Sequence, residues 1–150
     1  MSFEEKVTWV NALVTIAVAV WYAQTVLPHL GSVPVGEIAY QRPILLAAGA
    51  MVVLTIAGTI VTAIATAIAA EVTGEGSVDD IDRTDERDVR IGQRGDLAGY
   101  YVSSALMIGV LALTLLEAEH FWIGNALFGA FLVGGLVSTT AKLVAYRRGF

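Results

Sequence analysis

The chain alternates between four long apolar runs and short charged segments. The runs cover residues 7–27, 44–70, 98–116 and 121–145. Each is apolar on all sides rather than along one stripe, a pattern typical of helices surrounded by lipid. An α-helix needs about 20 consecutive apolar residues to cross the hydrocarbon of a bilayer, and each run has roughly that length. The pattern therefore predicts four membrane-spanning segments.

Helix is the conformation that lipid permits for these segments. An open strand would leave backbone groups unpaired in hydrocarbon, and four segments cannot close a barrel. We predict an all-α fold: one integral membrane domain over 1–150, a four-helix transmembrane bundle running up-down-up-down, with a charged cytoplasmic loop over 71–97. The two hairpins could also be copies of one ancestral hairpin. Their sequences share little, so a duplication is kept only as an alternative.

Positive charge is concentrated on one side of this topology. That side would hold Lys6, Arg83, Arg87, Arg90, Arg94, Arg147 and Arg148, with Lys142 nearby, whereas the other would hold only Arg42. Loops rich in Lys and Arg stay in the cytoplasm. The sequence thus predicts a multi-pass protein of the prokaryotic plasma (inner) membrane with both termini in the cytoplasm. The acidic start of the chain differs from a secretory signal, so the first run is expected to be retained.

Composition excludes several classes of function. The net charge is −5, which disfavours nucleic-acid binding, and the absence of cysteine excludes thiolate chemistry. The apolar runs carry no ionisable group at mid-length, which disfavours proton-coupled transport. The sequence holds no nucleophile–base pair, metal motif or phosphate loop. We therefore predict a protein that is not an enzyme and has no catalytic residue, metal or cofactor.

Charge patterning singles out the segment 78–96. Its arginines, Arg83, Arg87, Arg90 and Arg94, are spaced 4, 3 and 4 residues apart, so on a helix they share one face, and Glu86 stands one turn before Arg90. This face is a candidate site for anionic lipid or for a partner protein. The alternative is a solvated helix laced with ion pairs that only enforces topology, and the excess of acids in the segment weakens pure lipid binding.

The same segment carries a family resemblance. Asp85-Glu86-Arg87-Asp88, followed by Ile91 and Arg94, resembles a family of short predicted bacterial and archaeal four-helix membrane proteins with a D-E-R-D-x-x-I-x-x-R loop motif. The ending 142–149 is similar to that family's C-terminus, so the resemblance covers the second half of the chain. Because the family has no known function, the resemblance implies four helices and no catalytic residues.

Small residues recur at every fourth position in the fourth run, at Ala126, Ala130, Gly134 and Ser138, and Gly95 and Gly99 have the same spacing at the start of the third. Such faces let helix backbones approach closely. They predict helix packing, either within the bundle or between copies in a homo-oligomer.

The predicted outer loops hold the two histidines and several carboxylates. His29, Glu117, Glu119 and His120 are candidates for a site that binds a cation or senses pH, if the loops meet. The alternative is a set of ordinary polar loop residues, and no ligand spacing such as H-E-x-x-H favours a site.

These observations predict a non-enzymatic accessory, regulatory or sensor subunit. Its expected partners are membrane lipids and either further copies of itself or a larger membrane protein. A small homo-oligomeric transporter or channel for a neutral or apolar solute is the alternative. An enzyme acting on lipids through Glu117, Glu119 and His120 is the third.

Overall fold

A computed structural model describes residues 2–73 and 85–148 of the chain. The described parts hold four long helices: α1, Phe3–Val26; α2, Gln41–Thr73; α3, Glu86–Leu115; and α4, His120–Arg148. All four are long and apolar enough to cross a membrane. The predicted all-α class and the four helices are therefore confirmed.

The helices extend beyond the apolar runs, most of all in α3. This helix begins at Glu86 rather than at residue 98, and α2 continues to Thr73. Both ends of the predicted loop 71–97 are thus helical. Arginine, glutamate and glutamine favour helix, and one glycine, Gly92, costs only about 1 kcal/mol and does not break it. Arg83 lies outside the described residues.

The four helices lie in the order α2–α1–α4–α3. Helix α3 packs mainly on α4, α4 also packs on α1, and α1 packs on α2, whereas α2 and α3 form no interface in the described chain. Burial follows this order. In the most apolar stretch of each helix, the share buried inside the protein is 28% in α1 and in α4, 11% in α3 and 6% in α2. The two outer helices therefore expose most of their apolar surface.

The main core lies between α1 and α4, with the start of α2 and the α1–α2 connection packed onto it. The rings of Tyr22 and Phe128 pack edge to face, with their centroids 4.9 Å apart. The Tyr22 hydroxyl donates to Asn125 Oδ1 at 2.6 Å. The Asn125 amide donates in turn to the Phe121 carbonyl at 2.7 Å. The buried members of this cluster are Val18, Tyr22, Val26, Ile38, Ala47, Phe121, Phe128 and Leu132.

A tight turn joins α3 to α4. The Ala118 amide donates to the Leu113 carbonyl at 3.0 Å and the Glu117 amide to the Thr114 carbonyl at 3.1 Å, which is a Schellman pattern. Glu117 adopts a positive φ of 52° where glycine is usual, and a residue with a side chain pays about 1–2 kcal/mol there. The turn sends α4 back along α3, so that the small residues of the two helices face each other.

Candidate functional site

Both described ends of the chain and the start of α3 lie at one end of the bundle, called here the termini end. The Tyr146 hydroxyl, near the end of α4, lies close enough to Asp88 of α3 and to Ser2, the N-cap residue of α1, to interact with both. The Lys6 ammonium of α1 donates to the Thr66 hydroxyl of α2 at 3.1 Å. Most of the charged residues in 2–73 and 85–148 lie near this end.

Three arginines of α3 surround one open recess at the termini end. Arg87, Arg90 and Arg94, together with Glu86, line about 340 Å³. The spacing of three and four residues places them on one side of the helix. These four residues are called the arginine surface below.

The contact between Arg90 and Glu86 on this surface is a weak one. Arg90 Nη2 lies 3.3 Å from Glu86 Oε2, and the side chains of Arg90 and Glu86 are 74% and 89% exposed. Exposed ion pairs contribute about 0–1 kcal/mol. Both groups can therefore turn toward a ligand at little cost.

The aspartates of α3 lie toward α4 and away from the arginine surface. Asp88 interacts with Tyr146. Asp96 Oδ1 receives the Lys142 ammonium at 2.7 Å and the Ser138 hydroxyl at 2.9 Å. The helix thus separates its charges, and the arginine surface carries three guanidinium groups against one carboxylate.

Lys142 illustrates a site that sequence reasoning missed. In the sequence it counts only as one more basic residue near the predicted cytoplasmic side. The structure instead pairs it with Asp96, and its side chain is 21% exposed. A carboxylate at the same depth stabilises a lysine at the end of an apolar run, and Asp96, the acid just before the third apolar run, was the available signal.

The predicted small-residue face of α4 packs against α3. A Cβ built on Gly99 would come within 2.6 Å of the Gly134 carbonyl and 2.8 Å of Ser138 Cβ. A Cβ on Gly134 would overlap the Ser103 hydroxyl, which donates to the Ala130 carbonyl at 3.4 Å. Ala130 and Gly134 are buried and Ala126 is half-buried, so the stripe is used within one chain.

The candidate residues of the predicted outer loops are not gathered into a metal-binding group. His29, Glu117, Glu119 and His120 are all exposed. Within 2–73 and 85–148, no three His, Asp or Glu side chains lie close enough together to hold a metal ion. The Glu119 carboxylate does reach the α1–α2 connection, where it lies beside Gly36. A role of these residues in binding a cation or sensing pH stays a prediction.

The fold and these contacts define a class: an all-α protein with four helices of membrane-spanning length and a cluster of guanidinium groups at one end. Comparison with family models, curated proteins and solved structures finds no match to the chain. The resemblance carried by residues 85–94 therefore stays a prediction.

Proposed function

We propose that this chain is a non-enzymatic, multi-pass protein of the prokaryotic plasma membrane that acts as an accessory or regulatory subunit. Its arginine surface binds an anionic group of a cytoplasmic partner. The observation that carries the proposal is the convergence of Arg87, Arg90 and Arg94 on one recess, where Glu86 is the one carboxylate among the described lining residues. Guanidinium groups bind carboxylates and phosphates with two parallel hydrogen bonds, which makes such a cluster selective for these anions.

The length of the arginine surface favours a protein partner over a lipid headgroup. Arg94 lies one turn before the third apolar run, and Arg87 lies seven residues earlier, which is about 10 Å along a helix. A headgroup layer is about 5–8 Å deep on each side of the hydrocarbon. Arg94 therefore lies at headgroup level while Arg87 extends past it into water.

The order of the helices also supports a docking protein over a pore within one chain. A lumen would require α2 and α3 to close a ring, and these two helices share no interface in the described parts. A pore built from several copies is an outcome that native mass spectrometry in nanodiscs would reveal as a discrete oligomer without a bound partner.

The proposed topology predicts which positions react with reagents added outside the cell. The chain has no cysteine, so a single cysteine is an unambiguous reporter. Ser32→Cys, in the exposed α1–α2 connection, should react with a membrane-impermeant maleimide on intact cells. Gln93→Cys, exposed beside the arginine surface, should react only after the cells are opened. The reverse pattern would overturn the cytoplasmic placement of the termini.

Charge reversal tests the arginine surface itself. A photo-crosslinking residue at Gln93 should capture a defined partner in cells, identified by mass spectrometry. In Arg87→Glu/Arg90→Glu the captured band should fall at least tenfold. Two reversed charges remove two charge-assisted contacts, and each such contact is worth about 1.5–3 kcal/mol.

The matched control is Arg147→Glu/Arg148→Glu, which changes the net charge equally at the same end of the bundle but outside the recess. It should leave the band unchanged. If the crosslinked band fell equally in both double variants, the loss would be due to the change in net charge and not to the recess. If Gln93 crosslinked only to lipid, the arginine surface would bind the membrane surface and not a protein partner.

A further inference from the structure

A second recess lies between α1 and α2 at the termini end, away from the arginine surface. Its volume is about 430 Å³, and its walls include Trp9 and Val10 of α1 and Val61 and Ala65 of α2. At its inner limit the helices touch, because any Cβ on Gly58 would overlap the Val10 side chain. The recess is called the α1–α2 groove below.

One charged group stands at the mouth of this groove. The Lys6 ammonium has three donors, and one of them bonds the Thr66 hydroxyl at 3.1 Å. Lys6 forms no ion pair with any residue in 2–73 or 85–148. Thr66 accepts from Lys6, and within those ranges its own proton has no acceptor. Two of the lysine donors and the threonine proton are therefore available to an anion.

The groove thus combines an anion-binding mouth with apolar walls. Trp9 is an aromatic residue of the kind that sits at the boundary between headgroups and hydrocarbon, and it is 37% exposed. Few residues of α2 are fully buried, so the groove opens sideways toward the surrounding lipid rather than into the protein. A ligand that fits must carry a negative head and an apolar tail at the depth of the membrane interface.

We infer that the α1–α2 groove binds one anionic phospholipid. Its phosphodiester accepts hydrogen bonds from Lys6 and Thr66, and the first part of one acyl chain lies along Trp9, Val10 and Val61. The site differs from a general attraction to a charged surface because it needs both the cation and the cleft. It is also independent of the arginine surface, since none of its lining residues comes from α3.

Quenching of Trp9 by brominated lipid tests this inference. In a Trp21→Phe/Trp122→Phe background Trp9 is the sole tryptophan, since the chain has three. The protein is reconstituted in phosphatidylcholine bilayers containing a small fraction of lipid brominated near the headgroup end of its chains. Brominated phosphatidylglycerol should occupy the groove about fivefold more strongly than brominated phosphatidylcholine, as expected for one basic residue at a membrane surface.

Two variants separate the contributions of charge and cleft. Lys6→Met keeps an unbranched side chain and should abolish the preference. Ala65→Phe fills the cleft while keeping Lys6 and should abolish it too. Arg148→Gln removes one charge at the same end of the bundle and should leave it intact. If Lys6→Met lost the preference while Ala65→Phe kept it, surface charge alone would explain the binding and the groove would have no part in it. Equal quenching by the two lipids in the parent protein would overturn the inference.

The same assay keeps this inference distinct from the proposed function. Arg87→Glu/Arg90→Glu should lose the captured partner yet keep the Trp9 preference. If that variant loses the preference instead, the anionic lipid belongs to the arginine surface and the groove assignment is wrong.

Discussion

Replacing Gly99 by alanine is expected to lower the free energy of unfolding by about 1–3 kcal/mol, the usual cost of overpacking a close contact. The new Cβ would meet the Gly134 carbonyl at 2.6 Å and Ser138 Cβ at 2.8 Å. The nearest atom belongs to the backbone of α4 and cannot rotate away, so α3 and α4 must separate. This is the packing interface that positions the Asp96–Lys142 pair.

The matched control for this substitution lies in the same helix. Gly109 has no atom within 4 Å of its added Cβ. Gly109→Ala should therefore raise the free energy of unfolding by about 0.5–1 kcal/mol, because alanine favours helix over glycine. Unfolding in mixed micelles with increasing dodecyl sulfate measures both variants. A rise in the free energy of unfolding for Gly99→Ala, like the rise expected for Gly109→Ala, would contradict the close contact between α3 and α4.

Replacing Tyr22 by alanine is expected to cost about 3 kcal/mol, at the lower end of values for truncating a buried aromatic side chain. The lower end applies because lipid supplies no hydrophobic driving force between helices, so the loss is mainly one of packing. Tyr22 is 8% exposed and contacts Phe128 and Asn125 across the α1–α4 interface. The same unfolding titration measures the effect.

Two further variants divide the Tyr22 effect into packing and hydrogen bonding. Tyr22→Phe keeps the ring and removes the donor to Asn125, which should cost about 1 kcal/mol. Trp21→Ala changes a neighbouring but exposed aromatic residue and should have little effect on unfolding. If Trp21→Ala proved as damaging as Tyr22→Ala, the assigned α1–α4 core would be wrong.

Hydropathy predicted the number and type of helices because both follow from local chemistry. A run of apolar residues has one stable state in lipid, and its length sets whether it spans. The helix ends were less predictable. Apolar runs mark only the part of a helix that suits hydrocarbon, so the charged start of α3, from Glu86 to Leu97, fell outside the predicted element.

The candidate site was predictable in part. The spacing of Arg87, Arg90 and Arg94 placed them on one helix face, and the structure has them lining one recess. Sequence also suggested that the many nearby acids would offset them. The structure turns Asp88 and Asp96 toward α4 instead. The spacing of the arginines is a local property, whereas the direction in which an aspartate faces its partner depends on where the next helix lies.

The amino-acid sequence by itself determined that this chain forms four helices of membrane-spanning length. Each apolar segment pairs its own backbone groups as a helix, and its apolar side chains suit a lipid environment without help from the rest of the fold. Only the tertiary structure decided that the helices lie in the order α2–α1–α4–α3. Helices in lipid associate through close packing and interhelical hydrogen bonds rather than through hydrophobic burial. Those contacts, such as Gly99 against Gly134 and Lys6 against Thr66, join residues far apart in the chain and leave only weak marks on its pattern.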